Sequence, residues 1–485
     1  MKKINIAILT TSLNSGGAER IAGLLSKELE NKQMYNVYVF LLSTSNIIYE
    51  YGGMLVDIGQ NGPFYEKEIK KNKIKYNIQI SISFLEIMNF ANVRTQIGER
   101  IILSERCVQS LMNPFLDAQE LKIKRYYNLA DEIVACSHGV KYDLEHNYKV
   151  QTSITTIYNF INKEKIQIEK EKNIEDDVLR FLNGTPYLLN VGRLDSQKNQ
   201  SRLIKQFVHY RKKRPNIKLI ILGSGDLKDK LSDLISENNE QENIAIFPYT
   251  KNPFMYMKNA VSLVITSHYE GLPNVVLEAM TVGCPIVSTD CLAGPRELLS
   301  DITTYDDTID SLTICKRGIL VPDQSSEDDL KTTYLADAME KIVDNVDLRN
   351  EIINNQKIYM RDYSNNKIVK QWCKLIKKKD IKPKEGKFED DIINVKKKIC
   401  IYGAGKIGTY YYNILHEKYQ IDSFVVSQKN NISDSYMGLP VYELRSLSYN
   451  NEQVQFIIGV GDNTQDDVVR GLKEKGYTDI VFPYI

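Results

Sequence analysis

Paired cysteines, long apolar runs and an excess of either charge are all missing from this chain, and each absence excludes a class of protein. The seven cysteines (Cys107, Cys136, Cys284, Cys291, Cys315, Cys373 and Cys400) form no C-x-x-C pair, and none stands at zinc-ligand spacing from a histidine. A disulfide scaffold and a zinc ribbon are thereby excluded, and buried free thiols in a reducing compartment are expected. No stretch approaches the roughly 18 apolar residues that cross a bilayer. With 63 Lys+Arg against 62 Asp+Glu the net charge is +1, so the concentrated cationic surface that a nucleic-acid partner needs is not there. Met1-Lys2-Lys3 and the run Ile4–Thr11 imitate a signal peptide, but the run is short and Asn5 interrupts it. The expected location is the cytoplasm, with docking at the inner face of the cell membrane if the protein works on a membrane.

What is present is a core-forming composition, 42% hydrophobic and 26% charged, over 485 residues, enough for about three domains of roughly 150 residues. Short β-forming runs alternate with helix-period stretches. Ile4–Thr11, Val37–Leu42, Ile78–Phe84, Ile101–Leu103, Glu132–Ala135 and Ile154–Asn159 read as strands, and Arg20–Leu29 reads as a helix. The pattern restarts at Tyr187, with strands at Leu188–Val191, Lys218–Leu222, Ile244–Phe247, Leu263–Thr266, Pro285–Ser288 and Gly318–Val321. Asp329–Asp344, Leu348–Tyr359 and Asn366–Lys377 read as closing helices. Such alternation predicts parallel sheets covered on both faces, an α/β class. The divisions fall at residues 1–165, 166–376 and 397–485. The charged stretch Lys163–Asp177 reads as one linker and residues 377–396 as another, and the final helices before the second are candidates to pack back on the first domain.

Chemistry concentrates at strand ends. In Ser267–Met280, Glu270 and Glu278 flank a turn shaped by Gly271 and Pro273, with a helix beginning near Asn274. A helix start presents free N–H groups and a positive dipole end, a natural seat for phosphate, and the two carboxylates would accept from hydroxyls around it. The other reading makes Glu270 a helix cap and puts Glu278 on a solvated face. Val191-Gly192-Arg193 ends a strand, with Lys198 five positions after the arginine. Together the two cations can clamp a diphosphate, one through planar hydrogen bonds and one as a point charge. Gly223-Ser224-Gly225 and Gly16-Gly17-Ala18-Glu19-Arg20 are glycine turns at which backbone can approach a ligand closely.

In combination these motifs resemble the retaining nucleotide-sugar glycosyltransferases of family 4, whose two facing Rossmann-like domains form the GT-B fold. The resemblance covers about residues 1–376. It rests on Glu270-x7-Glu278, Val191-Gly192-Arg193-Leu194-x3-Lys198-Asn199, Gly223-x-Gly225, Gly16-Gly17-Ala18-Glu19-Arg20 and Asn252-Pro253. Ser288-Thr289-Asp290-Cys291-x2-Gly294-Pro295-x-Glu297 and Gly318–Pro322 look like members that build bacterial surface polysaccharides.

The resemblance implies roles. Arg193 and Lys198 hold the donor diphosphate, Glu278 the ribose hydroxyls and Glu270 hydroxyls of the transferred sugar. Leu272, Pro273 and Asn274 meet phosphate and sugar, Tyr249 in the Phe247–Tyr249 region flanks the base, and Gly16 and Gly17 close over the donor with Gly223 on the other side. Glu105 and Arg106 stand where many relatives carry a histidine and are candidates to orient the acceptor or its phosphate, Glu105 counted with Glu270, Arg193 and Lys198 as catalytic and Arg106 as an acceptor contact; a surface ion pair is the other reading. His138 is a lesser acceptor candidate. No cofactor and no metal is expected, since cations and a helix start hold the phosphate and no Asp-x-Asp signature is present. The implied partners are a nucleotide-sugar donor, most often UDP-linked in relatives, and a glycan acceptor, lipid-linked in many of them. The implied setting is capsule, O-antigen or other cell-surface polysaccharide synthesis.

The basic stretch Glu66–Lys75 offers peripheral membrane contact or, read plainly, a solvated helix. The third unit opens with Gly403-x-Gly405-x-x-Gly408 between a strand and a helix, the context of a nucleotide fingerprint. Yet Phe424-Val425-Val426 runs into Ser427-Gln428-Lys429 without the acidic residue of an NAD site. At under a hundred residues the unit resembles the small Rossmann-like domains appended to some polysaccharide-assembly enzymes; a docking or oligomerisation role is the expectation, and a nucleotide or sugar-phosphate site at Gly403, Gly405 and Gly408 the alternative. Two other functions fit the fold: a catalytically silent GT-B subunit that binds a partner transferase or glycoprotein, and a GT-B epimerase or phosphorylase. The intact clamp of Arg193, Lys198, Glu270 and Glu278 speaks against the first, and the lack of a recognisable pyridoxal-binding lysine region against a phosphorylase.

Overall fold

A computed structural model describes residues 3–60, 62, 65–112, 117–323, 332–377, 393–429 and 432–482. Three sheets carry the chain. The first contains β1 (Ile4–Thr10), β2 (Tyr35–Leu41), β3 (Met54–Asp57), β4 (Ile80–Phe84), β5 (Arg100–Glu105), β6 (Glu132–Ala135) and β7 (Ile154–Thr156), in the order β3-β2-β1-β4-β5-β6-β7. All its pairings are parallel. That is why Ile6–Leu9 are apolar without alternation, and why Ser81 and Ser83 are as fully buried as Ile82 and Phe84: helices cover both faces of the sheet.

The second sheet repeats this winding. It contains β8 (Tyr187–Val191), β9 (Lys218–Leu222), β10 (Ile244–Phe247), β11 (Ser262–Ile265), β12 (Ile286–Thr289), β13 (Thr313–Cys315) and β14 (Gly318–Val321), in the order β10-β9-β8-β11-β12-β14-β13. Only β13 runs antiparallel, at the edge. Sequence pattern misses β3 and β13, which are short edge strands with half-exposed faces.

In each sheet the order reverses beside the first strand, and in open α/β sheets such a switch point places ligands at the carboxyl ends of the strands. Here the loops that follow β1, β5 and β6 meet those that follow β11 and β12, so both sets of carboxyl ends open on one cleft. The supposed linker Lys163–Asp177 holds the helix Lys163–Glu169 and the start of another, Asp176–Leu182. Asn162 caps the first by accepting from Lys165 N (2.9 Å), and Ile166 buries its one apolar face, enough to order a charged segment.

Two crossings join the domains side by side. Ile161 N donates to Asn365 Oδ1 (3.0 Å), and Lys163 Nζ donates to the carbonyls of Met360 and Tyr363. The closing helices span Tyr334–Asp344, Val346–Asp362 and Asn365–Lys377; residues 329–331 of the expected first one lie outside the described residues. The last helix returns to the first domain, where Trp372 is fully buried 6.3 Å from Phe84 and Arg100 Nη1 donates to Leu375 O (2.6 Å).

Most of the 377–396 stretch lies outside the described residues, though Ile393 is buried. A third sheet follows, of β15 (Lys398–Tyr402), β16 (Ile421–Val426), β17 (Ser435–Tyr436), β18 (Leu439–Glu443), β19 (Val454–Ile458) and β20 (Ile480–Val481), ordered β17-β18-β16-β15-β19-β20. It docks on the first domain: Tyr126 Oη donates to Phe482 O (2.8 Å), Ala118 N to Asp466 Oδ1 (2.9 Å), and Lys473 pairs with Asp117 (2.6 Å).

All seven cysteines are free; Cys136, Cys284, Cys291 and Cys400 are buried and the other three half-buried. Among the described residues no helix is long and apolar enough to cross a membrane. In the helix Tyr65–Lys75, Lys73 is buried against Glu99 (2.6 Å) and Glu66 pairs with Arg94, so those two charges serve the interior. Lys67, Lys70, Lys71 and Lys75 face outward.

Candidate active site

The loop after β11 brings Glu270 into the cleft, 6% exposed, where it accepts from Lys198 Nζ (2.5 Å) and Ser267 Oγ (2.7 Å). It does not cap the following helix, Asn274–Val282, whose N-cap is Pro273 with no side-chain hydrogen bond. Glu278 lies one turn and a half into that helix, 5% exposed, paired with Arg20 from the first domain. Neither glutamate is a solvated-face residue. Burial works to lower the Arg20 guanidinium, and the facing carboxylate more than offsets it, holding its pKa above the usual arginine value.

Lys198 reaches Glu270 because the loop after β8 folds tightly: Lys198 N donates to Asp195 Oδ1 (3.0 Å), and Asn199 takes a left-handed conformation to cap the helix Gln200–Arg211. Gln197 ties this loop to the next, giving Nε2 to Tyr269 O and accepting from His268 N, both at 2.9 Å. Arg193 stays largely exposed, bound to Gln197 (2.9 Å) and Asp195 (3.1 Å), so its fork remains turned to solvent. Gly223 serves packing: a Cβ there would stand 2.0 Å from Gly192 O, so only glycine lets the loops after β8 and β9 touch.

The first domain supplies the opposite wall. Gly16 has φ +90°, a conformation that favours glycine, and a Cβ on Gly17 would stand 3.2 Å from Asn274 Nδ2. Beside them Glu19 accepts from Thr11 Oγ1; burial raises its carboxyl pKa, with the Arg193 charge working the other way. Tyr249 is 54% exposed, beside Tyr49 and Arg20. Leu272 is buried with its carbonyl taken by Asn159, and Pro273 packs on Gly294. The two domains meet tightly at Gly271, where a Cβ would lie 1.9 Å from Arg106 O and 2.9 Å from Cys136 Sγ. Gly271→Ala is expected to cost about 1–3 kcal/mol as an overpacked contact and to hold the cleft open. A lower urea midpoint with a larger radius of gyration checks this.

One candidate is corrected here. Glu105 is neither an acceptor contact nor half of a surface pair: it is 1% exposed, with Oε1 accepting from Arg106 N (2.8 Å), Cys107 N (3.1 Å) and Gln109 Nε2 (3.1 Å), and Oε2 from Tyr127 Oη (2.5 Å). Burial raises its pKa against the pull of those donors. Arg106 donates from Nη1 to Asn159 Oδ1 (2.7 Å) and lies over Phe84 at 5.0 Å, while its Nε and Nη2 are buried without a hydrogen-bond partner among the described residues. His138 keeps an exposed ring at the cleft edge, 6.0 Å from Tyr158. Gly403, Gly405 and Gly408 lie at the end of β15, outside this cleft; a Cβ on Gly408 would meet Gly403 O at 1.8 Å, while Gly405 has open space.

Three residues given no role by sequence reading join the site. Arg20 and Glu297 lay inside quoted motifs, whereas Asn159 had no signal beyond ending a strand-like run. Glu297 crosses from the second domain to the helix His138–His146, accepting from His138 N (2.9 Å), Gly139 N (2.8 Å) and Tyr158 Oη (2.8 Å). Among the described residues no group of three or more His, Cys, Asp or Glu is placed to hold a metal ion.

Residues 171–358, which contain this second sheet, match the family described as glycosyl transferases group 1. An uncharacterized glycosyltransferase of Methanocaldococcus jannaschii is 36% identical over 267 residues, 53% of this chain and 66% of its own length. The N-acetylgalactosamine-N,N'-diacetylbacillosaminyl-diphospho-undecaprenol 4-alpha-N-acetylgalactosaminyltransferase of Campylobacter jejuni is 31% identical over 322 residues, 62% of this chain and 84% of that enzyme. The chain belongs to the group 1 glycosyltransferases. Among solved structures, Anabaena HepE in complex with UDP and glucose superposes with a TM-score of 0.60 at 15% identity, covering 77% of this chain and 99% of that one. This glycosyltransferase therefore has the GT-B fold, its cleft lying between the two domains that the architecture opposes.

Proposed function

We propose that this glycosyltransferase moves a hexose or N-acetylhexosamine from a UDP-linked sugar to a glycan acceptor carried on a lipid, with retention at the anomeric carbon and without a metal ion, in cell-surface polysaccharide synthesis. The observation that carries the reading is the Lys198–Glu270 pair (2.5 Å), set in one cleft with Glu278, Arg193 and the start of the Asn274–Val282 helix. Lys198 and the helix N–H groups would neutralise the charge that grows on the leaving diphosphate, which is the main electrostatic task of the reaction. The bond from the anomeric carbon to the β-phosphate oxygen breaks, and the bond to the acceptor oxygen forms on the same face. The acceptor proton passes to the departing phosphate. Glu270 would read hydroxyls of the transferred sugar, and Glu278 would take the ribose hydroxyls in place of Arg20. The lipid-linked acceptor is supported by the Campylobacter relative, whose substrate is named as a diphospho-undecaprenol sugar. It would place the enzyme at the cytoplasmic face of the membrane.

Release of nucleotide from a panel of UDP-, GDP-, ADP- and dTDP-sugars, with EDTA present, tests the reading. Turnover of a UDP-sugar that Glu270→Ala abolishes is the expected result. No turnover together with no calorimetric binding would replace it with a silent binding subunit.

A further inference from the structure

The loop expected to face the donor, Leu272–Asn274, is held from the other domain by the side chain of Asn159. Asn159 follows β7 at the first crossing between domains and is 4% exposed. Its Nδ2 donates to Leu272 O and to Asn274 Oδ1, both at 2.9 Å, and its Oδ1 accepts from Arg106 Nη1 at 2.7 Å. The direction of this chain is dictated by chemistry. A guanidinium has only donors and a main-chain carbonyl only accepts, so Arg106 and Leu272 O together turn the amide oxygen of Asn159 to Arg106 and its nitrogen to the loop. By the same rule Asn274 must give its oxygen to Asn159 and turn its own NH2 the other way, toward Gly17, where a Cβ would lie 3.2 Å from Asn274 Nδ2. That is the side on which the glycine turn of the first domain approaches the start of the Asn274–Val282 helix.

We propose that Arg106 and Asn159 are positioning residues that set the hydrogen-bond polarity of Asn274, so that Asn274 offers N–H, and not a carbonyl oxygen, to the oxygens of the nucleotide diphosphate. The inference rests on the donor reading above. Diphosphate oxygens only accept, so a reversed Asn274 amide would set lone pair against lone pair. Because the relay spans both domains, it is complete only when they are closed on each other. Arg106, a candidate for acceptor recognition by sequence, thus acts on the donor side and through a second residue.

Calorimetric titration of UDP into wild type, Arg106→Met, Asn274→Ala and the double variant tests the relay. Each single change is expected to weaken UDP by about tenfold or more, the worth of a hydrogen bond to a charged group. The double variant is expected to bind no worse than Asn274→Ala alone, and Arg106→Lys, which keeps a donor for Asn159, to stay close to wild type. Losses that multiply in the double variant, or an Arg106→Met enzyme that binds UDP normally, overturn the inference. Wild type that binds no UDP removes the donor reading and the relay together, so the two failures are told apart. If Arg106→Met does not fold, Asn159→Asp takes its place in the cycle. Its carboxylate keeps Arg106 as partner but repels Leu272 O and forces Asn274 to reverse, so the same non-additive loss is expected.

Discussion

Lys198→Ala is expected to lower kcat/KM for donor turnover by on the order of 10²–10³-fold, the usual cost of removing one preorganised group that meets developing charge. The lysine does two things in the cleft. Its ammonium stands where negative charge would grow on the leaving diphosphate, and it neutralises Glu270, which is otherwise buried with Ser267 as its remaining side-chain partner. Removing it therefore leaves a carboxylate uncompensated in a dry site, an arrangement that proteins tolerate poorly. Lys198→Arg is the informative companion. It keeps the charge and the Cγ–Cδ stem that lies against Gly192, but replaces the compact ammonium beyond it with a larger planar fork. Stopped assays of nucleotide release, read beside thermal melting, separate the two contributions. Full activity in a folded Lys198→Ala enzyme would remove the lysine from the chemistry.

Glu105→Ala is expected to destabilise the fold by about 3–5 kcal/mol, because a buried carboxylate with four donors around it leaves all of them unsatisfied when it goes. Glu105→Gln is expected to be mild. The amide oxygen can keep the bonds from Arg106 N, Cys107 N and Gln109, and the Tyr127 hydroxyl, which already accepts from Asn89 Nδ2 at 3.0 Å, can accept from the new NH2. Donor binding by the folded Gln variant should match wild type, which a catalytic carboxylate would not allow. The pH dependence has a definite sign. A carboxyl whose pKa is raised on folding binds its proton more tightly in the native state, so stability falls as pH rises from the ordinary glutamate value to the raised one. Wild type should therefore gain on Glu105→Gln upon acidification through that window. Urea titrations at pH 7 and near pH 5 measure it; a gap that moves the other way contradicts the assignment of a raised pKa.

Much of this architecture was readable from pattern alone, because parallel strands buried on both faces leave continuous apolar runs and each is followed by a helix signal. Glu270, Glu278, Lys198 and Gly17 were legible as a site because their spacings tie them to strand ends, and strand ends converge. What stayed hidden depended on contacts inside the first domain. Whether Glu105 faces the cleft or the interior is decided by Gln109, four positions on, together with Tyr127, which no local spacing connects to it. Arg106 reads from sequence as an acceptor contact or half of a surface ion pair, and its bond to Asn159, more than fifty positions on, has no local signal. The short edge strands β3 and β13 were missed for a different reason: half-exposed strands of three or four residues carry too little hydrophobic signal to stand apart from loop.

The paired crossings between the domains have a mechanical consequence. Had one segment joined the domains, it would act as a swivel, free to twist as well as to bend. Two segments laid side by side and stitched by Asn365, Lys163 and Tyr363 act as a strap. Bending across a strap leaves its stitches intact, whereas twisting along it shears them. Bending across the strap would therefore open and close the cleft in one plane and bring Gly271 back to Arg106 in the same register.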